Sequence, residues 1–282
     1  MPSKSAIFCF ITTIVCIFLL TGCAEFYGKR QSRYTSSVVK YLYPDKEVAE
    51  VPTIPHLSLP LRVGVSFVPE SGRTPNANKL SEKEKMDLMV RISSEFRTLP
   101  FVKDIELIPT AYLTNGGGFT NLDQIRTMYG IDAITLLSYD QVQHTDEGLL
   151  SLSYWTIVGA YVIKGERNDT STMVDAAVYD IPSRKMLFRA PGTSHIKASS
   201  TLVNLSEQLR NDSTNGFCLA SDDLVANLQD ELNRFKEKVK EMPEAYAVVH
   251  KPGYTGGGSL GGAYALTLIT LGGLLLWIGR KK

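Results

Sequence analysis

The sequence predicts an α/β fold: a single small domain with a three-strand parallel βαβαβ core, antiparallel strands that extend it, and two C-terminal helices. In the first half, apolar strand-like runs alternate with helical segments, an order that gives parallel strands with right-handed crossovers. The second half changes to strands joined by a short turn, followed by helical periodicity. The α/β domain is expected over residues 61–242, enough chain to bury one sizeable core.

The predicted parallel core has five elements, with apolar runs giving strands and capped periodic segments giving helices. A capping box at Ser81–Glu84 opens the first helix. Thr120 and Asp123 are expected to cap the second helix, and Gly130 ends it. In chain order the elements are a strand at 61–69, a helix from 81 to before Pro100, a strand at 102–108, a helix from 120 to about 129, and a central strand at 131–142.

The extension consists of further strands and the two helices. A turn at Asp180–Arg184 joins two of the strands, and Leu228, Leu232, Phe235 and Val239 form a stripe that is expected to pack on the sheet. The strands are predicted at 154–164, 172–179 and 186–190, and the helices at 202–210 and 222–242. The element order resembles the small α/β domain of CsgG-type, TolB N-terminal and penicillin-binding-protein-activator lipoproteins, a likeness of fold that fixes no function.

Residues 1–22 have the order of a secretory signal peptide, with Lys4 ahead of a run of 15 uncharged, mostly apolar residues. The run ends in Leu20, Thr21, Gly22 and Cys23. These four residues resemble the bacterial lipobox. The resemblance implies cleavage before Cys23 by a signal peptidase, and a diacylglycerol on its thiol and acylation of its new amine by the lipoprotein acylation machinery. No other cofactor is expected. The alternative is an uncleaved anchor helix, for which the run is short.

Ala24 follows the cysteine, in place of the aspartate that typically retains lipoproteins in the inner membrane. By resemblance this points to the outer membrane. Residues 23–60 are interpreted as a tether because they hold four prolines from Pro44 onward and little periodicity, and residues 243–255 as a linker.

The last segment, residues 256–282, is interpreted as a sorting tail with a membrane-spanning helix at about 260–279. The 19 residues from Leu260 to Ile278 are apolar or small, long enough for one thin-bilayer crossing. The basic end places the cytoplasmic side and leaves the glycine run outside. That basic end is Arg280, Lys281 and Lys282, and the glycine run that marks the processing site is Gly256, Gly257, Gly258 and Ser259.

This order of glycine pair, Ser-Leu-Gly, apolar span and basic end resembles the GlyGly-CTERM signal of Gram-negative bacteria. The resemblance implies cleavage by rhombosortase, a rhomboid-type intramembrane serine protease. The alternative is a permanent tail anchor, with Gly272 and Gly273 as a packing face. Lipobox and tail together resemble the rhombotarget lipoprotein family, whose likeness extends into the body at 132–141, 154–161 and 172–192. Membership names the processing enzyme and leaves the activity unstated. The two terminal signals predict an inner-membrane precursor and a mature protein at the outer membrane or cell surface.

Charge and cysteine content exclude some classes. Without Lys4 and the three C-terminal basic residues, the chain has 26 basic against 29 acidic residues, so no nucleic-acid surface is expected. Cys218 is the one cysteine of the body, so two body cysteines cannot form a disulfide. It is expected to be a small buried apolar side chain; the alternatives are a free thiol for intermolecular pairing and a catalytic thiolate.

No catalytic or metal constellation stands out. The glycine loop at 116–118 precedes a helix but lacks the Lys-Ser/Thr end of a phosphate loop. His56, His144, His195 and His250 are scattered, so no metal site is expected. Ser194, His195 and Asp140 lack a nucleophile-elbow motif.

Two functional hypotheses follow. The first is a non-enzymatic envelope or surface interaction and assembly factor with an unidentified protein partner. The alternative is a hydrolase or small-ligand-binding enzyme that uses the loops after Ile108 and Val142, at the carboxyl ends of the strands.

Overall fold

The computed structural model describes residues 29–44, 54–73, 80–147, 166–201, 203–252 and 254. Within these ranges it contains nine strands, four α-helices and two short 3₁₀ turns. The strands are β1 (Lys29–Ser36), β2 (His56–Leu59), β3 (Leu61–Phe67), β4 (Glu70–Arg73), β5 (Val102–Leu107), β6 (Ala133–Glu147), β7 (Glu166–Asp180), β8 (Lys185–Ser200) and β9 (Ala247–His250). The helices are α1 (Val38–Leu42), α2 (Glu82–Arg97), α3 (Gly118–Tyr129) and α4 (Leu205–Glu241).

Seven strands form one large sheet, and β2 and β9 form a small parallel sheet of their own. β6 is the centre of the large sheet. β7 pairs along its whole length on one side, and on the other side β3 pairs with its first part and β1 with its second part. β3 runs parallel to β5 and β6, whereas the pairs β1·β4, β1·β6, β6·β7 and β7·β8 are antiparallel. The mixed α/β class is therefore confirmed, with antiparallel pairing predominant in the sheet.

The sheet is covered on two faces because its strands alternate. Leu137 and Tyr139 of β6 join a cluster with α2 and α4, whereas Ile134 and Leu136 join a second cluster with α1 and α3. We call these the inner and outer faces, respectively. On the second half of β6 the inner face becomes polar: Gln141 donates to the carbonyl of Ser213 in α4 at 3.1 Å. α4 thus follows the sheet beyond its apolar core.

The helix ends agree with the sequence at α2 but differ at α3. Ser81 and Glu84 form the predicted capping box, with both reciprocal hydrogen bonds present. At α3 the predicted cap by Thr120 and Asp123 is wrong, because the helix begins at Gly118 and its N-terminus has no side-chain cap. The preceding turn is instead held by Asn121, whose side-chain oxygen accepts from the Thr114 amide at 2.9 Å.

The prediction of two C-terminal helices is wrong, since α4 is one helix of 37 residues. Residues 211–216 in its middle read Asn-Asp-Ser-Thr-Asn-Gly, and these residue types favour a helix less than Ala, Leu or Glu do. Tertiary packing overrides the propensity there. A Cβ on Gly216 would lie 2.6 Å from Thr172 Oγ1, so glycine is what lets the helix approach the sheet.

The predicted domain, residues 61–242, is too short at both ends. The supposed tether contains β1, α1 and β2, and β1 pairs with β6 over seven residues. β1 was not predicted because its sequence lacks apolar alternation. Of its residues 31–36, only Tyr34 and Ser36 are buried. The supposed linker contains β9, whose four residues are mostly exposed.

The extension strands are longer than predicted, at 15 residues for β7 and 16 for β8. The halves of β7 and β8 that lie far from their connecting turn are mostly polar. Apolar periodicity therefore predicted strands that were too short. The predicted turn between them is confirmed at 181–184, where Arg184 has a φ of 58°. The strand predicted at 154–164 lies outside the described residues.

Candidate binding groove

A groove of about 780 Å³ lies on the outer face of the sheet, beside α1, where β1, β6, β7 and β8 run next to each other. Two arginine–aspartate pairs line it, Arg33 with Asp140 and Arg189 with Asp175. We call it the ion-pair groove. Its volume is in the range of pockets that accept a small ligand or a short peptide segment.

The Arg33–Asp140 pair is bidentate. Arg33 Nη2 lies 2.6 Å from Asp140 Oδ2, and Nε donates to Oδ1 at 3.2 Å. The hydrogen bond and the charge of Asp140 raise the pKa of Arg33 above its ordinary value. The forked geometry fixes both side chains, although the Arg33 side chain keeps 52% of its surface exposed.

The Arg189–Asp175 pair is more enclosed. Arg189 Nε donates to Asp175 Oδ1 at 2.6 Å, and the Asp175 side chain is only 10% exposed. Burial raises the pKa of Asp175, while the hydrogen bond and charge of Arg189 act in the opposite direction. Arg189 itself is half-exposed and lines the groove, and its guanidinium carries five N–H donors.

Apolar side chains lie between the charged ones. Met173 and Met186 line the groove and are 37% and 50% exposed, and Val39 at its rim is 67% exposed. Methionine adapts its shape to a partner surface, and methionine and arginine are enriched in protein interfaces. The lining therefore combines fixed charges with adaptable apolar contacts.

The junction of β1 and α1 holds the rim in place. Ser36 Oγ accepts the Tyr139 amide at 2.8 Å, which ties the end of β1 to β6. Ser37 then caps α1 by accepting the Lys40 amide at 3.3 Å. These two serines turn the chain over the sheet, so that α1 forms one wall of the groove.

A second polar cluster lies further along the outer face. His195 Nδ1 is 3.0 Å from Ser171 Oγ and 3.2 Å from Asp169 Oδ1. Both partners meet the same ring nitrogen, whereas a catalytic triad needs the carboxylate on one nitrogen and the hydroxyl at the other. All three side chains are at least partly exposed. The arrangement is a surface hydrogen-bond cluster.

The structure does not bring Ser194, His195 and Asp140 together. Ser194 Oγ donates to the carbonyl of Gly216 on the inner face, at 2.7 Å, and Asp140 is held by Arg33. Among the described residues, no group of three or more His, Cys, Asp or Glu side chains is placed to hold a metal ion.

The glycine loop before α3 packs against α1. A Cβ on Gly118, whose φ is +58°, would lie 3.1 Å from the Leu42 carbonyl, and one on Gly116 would lie 3.3 Å from Pro44. The glycines therefore allow the loop to lie close to the backbone at the end of α1. That segment covers the loop, where an anion would have to bind.

One of the two loops assigned to the enzyme alternative does not exist. Val142 lies inside β6, paired with Ser171 and with Arg33, so the strand predicted to end there continues to Glu147. The loop after Ile108 does exist: Ile108 directly follows the end of β5, and a 3₁₀ turn comes next at Thr110–Tyr112.

Cys218 is a free, exposed thiol on α4, so the prediction that it is buried is wrong. The residues of α4 that meet the sheet recur at helical spacing, and Phe217 and Ala220 belong to that series. Cys218 falls on the opposite side of the helix.

The predicted processing residues lie outside the described residues. These are Leu20, Thr21, Gly22 and Cys23 at one end, and Gly256, Gly257, Gly258, Ser259, Arg280, Lys281 and Lys282 at the other. Within the ranges that the structure describes, no helix is both long and apolar enough to cross a membrane.

The groove residues were missed by the sequence reasoning. Arg33 sits in the supposed tether, where no element was expected. Asp175 and Arg189 gave a usable signal, because each is a lone charge inside an apolar strand run. Such residues are rarely buried unless they are paired, and a hairpin at 181–184 brings them to neighbouring strands.

Comparisons with known proteins add little. No model of a known protein family matches the chain, and no curated protein matches it. Among solved structures, one of a dodecamer of a PelC variant from Paraburkholderia phytofirmans is similar over 71% of this chain and 96% of its own, at 11% identity and a TM-score of 0.26.

Proposed function

We propose that this protein is an exported lipoprotein, lipidated on Cys23 and trimmed at its C-terminal tail by a rhomboid-type protease. Its α/β body acts as a non-enzymatic interaction or assembly factor of the outer membrane or cell surface. Trafficking is supported by the lipobox-like and GlyGly-type sequences at the two ends. The binding role rests on one observation, the ion-pair groove.

The groove favours binding over catalysis for a physical reason. Both of its carboxylates are held by arginine, at 2.6 Å in each case, so neither is placed to take a proton from a substrate. Preorganised ion pairs and exposed methionines suit the recognition of a polypeptide segment. The arginines and methionines of the groove would supply contact area, and its charges would fix the position of the bound segment. We therefore assign a protein partner to the groove.

Site-specific photo-cross-linking in cells tests this role. A photoreactive residue in place of Met186 should give a discrete cross-linked species, because that side chain faces the groove. The matched control is Met128, which is 63% exposed on α3 and does not line the groove. Equal cross-linking from the two positions, or none from either, would contradict the proposal.

A second experiment tests the processing. Gly257→Leu with Gly258→Leu should stabilise the outer end of the tail helix by about 1 kcal/mol per site, which removes the easily unwound backbone that an intramembrane protease needs. The doubly substituted protein should keep its tail and fractionate with the inner membrane. Normal trimming of this variant would show that the glycines are not the recognition element.

A further inference from the structure

The two ends of the described body, which we call the exits, lie at opposite ends of the central strand β6. At one end, Lys29 of β1 pairs with Asp146 near the end of β6. At the other, the Lys251 ammonium is 2.8 Å from Asp132, the residue before β6 begins. The 14 residue-to-residue steps from Asp132 to Asp146 rise by about 45 Å at strand geometry. The exits are therefore separated by roughly that length.

The long helix α4 spans the body between these exits. α4 runs antiparallel to β8 along the sheet, and its 37 residues span about 55 Å. It begins where β8 ends, and Gln143 near the far end of β6 donates to the carbonyl of Leu209 at 2.8 Å. At the other end, Phe235 of α4 packs edge-on against Tyr246, with ring centroids 5.6 Å apart. One helix thus spans the full distance between the exits and contacts the sheet near one end and Tyr246 near the other.

The C-terminal exit is fastened up to the predicted tail. The Ala247 amide donates to the Pro55 carbonyl at 2.9 Å, and the Lys251 amide donates to the Leu59 carbonyl at 2.7 Å. The rings of His250 and Tyr254 stack at 5.6 Å. The body therefore holds the chain to within two residues of Gly256.

Short connections join the body to the two anchors of the proposed function. Cys23 lies six residues before Lys29, and Leu260 lies six residues after Tyr254. Six residues reach at most about 20 Å even when fully extended. Each exit must consequently stay within about 20 Å of the bilayer as long as both anchors are embedded.

Resting on the proposed function, we propose that the precursor with both anchors in one membrane lies flat, and that tail removal is an orientation switch. Two exits about 45 Å apart, each within about 20 Å of the surface, limit the tilt of β6 to about 25° from the membrane plane. Cutting the tail frees the β2·β9 end, while the lipid holds the β1 end. The outer membrane thus receives a body tethered at one end only.

Membrane-distance measurements test the switch on the full, lipidated chain. In a Cys218→Ser background, a fluorophore is placed either at the β1 end through Ser199→Cys or at the β2·β9 end through Glu244→Cys, both positions being exposed. The protein is reconstituted into phosphatidylethanolamine–phosphatidylglycerol vesicles that carry an acceptor lipid. Energy transfer is compared between mature protein and protein that retains its tail through Gly257→Leu and Gly258→Leu.

With the tail present, both labels should transfer efficiently, because each exit is held within about 20 Å of the bilayer. In the mature protein, transfer from the Glu244→Cys label should fall at least twofold while that from the Ser199→Cys label stays the same. A linker of about 30 Gly/Ser residues inserted after Tyr254 adds a reach of about 30 Å. It should reproduce that fall with the tail still embedded, which separates tether length from cleavage.

Two results would overturn the switch alone: inefficient transfer from either label in the acylated, tail-bearing protein, or unchanged transfer from the Glu244→Cys label after tail removal. Mass spectra of the same samples distinguish this from failure of the proposed function. A Cys23 without acyl groups, or a tail that cells never remove, would overturn the proposed function and the switch together.

Discussion

Gly192→Ala should disturb the packing of α4 on β8, because Gly192 leaves less room for a Cβ than the other glycines whose surroundings the structure describes. A Cβ at Gly192 would lie 2.0 Å from the Ala220 carbonyl oxygen and 2.4 Å from the Leu224 amide nitrogen. Both obstacles are backbone atoms, so no side-chain rotation relieves the clash. To restore ordinary contact at 3.4 Å, the helix and the strand must separate by about 1.4 Å across a fully buried part of the core.

The cost of such overpacking is about 3 kcal/mol, the upper part of the usual range, because the helix moves as a unit. For a domain of this size, that corresponds to a fall in Tm of roughly 6–12 °C. The assay is thermal unfolding of the mature protein in mild detergent, followed by helical circular dichroism.

Gly64→Ala is the matched control. There the new Cβ meets the ends of the Ile131 and Ile108 side chains, at 2.7 and 2.8 Å. Because these side chains can rotate, we expect a cost of about 1 kcal/mol. A Tm for Gly192→Ala equal to wild type, or a smaller fall than for Gly64→Ala, would refute the close approach of α4 to β8.

Three further predictions concern the groove and α4. Arg33→Ala should lower the free energy of unfolding by less than about 1 kcal/mol, because its pair with Asp140 is half-exposed. The same substitution should weaken cross-linking from Met186. Unfolding and cross-linking measured on this variant check both effects. Burial raises the pKa of Asp175, so the native state binds its proton more tightly than the unfolded state, and the wild-type protein should lose stability as pH rises from about 4 through that raised pKa. Asp175→Asn should flatten this part of the curve of unfolding free energy against pH, and an unchanged curve would count against the burial of this carboxylate. Cys218 should react with a maleimide in the native protein as fast as in denaturant, and protection until unfolding would show that this side of α4 is covered.

The sequence predicted those elements whose burial is apolar and periodic. The capping box at Ser81 and the left-handed Gly130 mark helix ends by local chemistry, and both are present. β3 alternates apolar residues with Arg62, Gly64 and Ser66, the first half of β6 is a mostly apolar run, and both strands lie in the core.

Elements stabilised by polar contacts were not predictable in the same way. β1 is held by backbone pairing with β6 and carries few buried side chains. The second half of β6 buries Gln141 and Gln143, which reach carbonyls of α4 at 3.1 and 2.8 Å. Such contacts depend on a partner 66 or more residues away, so no local periodicity reveals them. The groove depends on the same unpredicted strands, and it was missed for that reason.

The central claim, that this chain is trimmed at both ends, is tested most directly by mass spectrometry of both termini of the native protein purified from the cell envelope. We predict an N-terminal peptide that begins at Cys23 and carries acyl groups, and a C-terminal peptide that ends between Gly256 and Ser259. A first residue ahead of Cys23, an unmodified Cys23, or outer-membrane protein that still contains Trp277 would contradict the account.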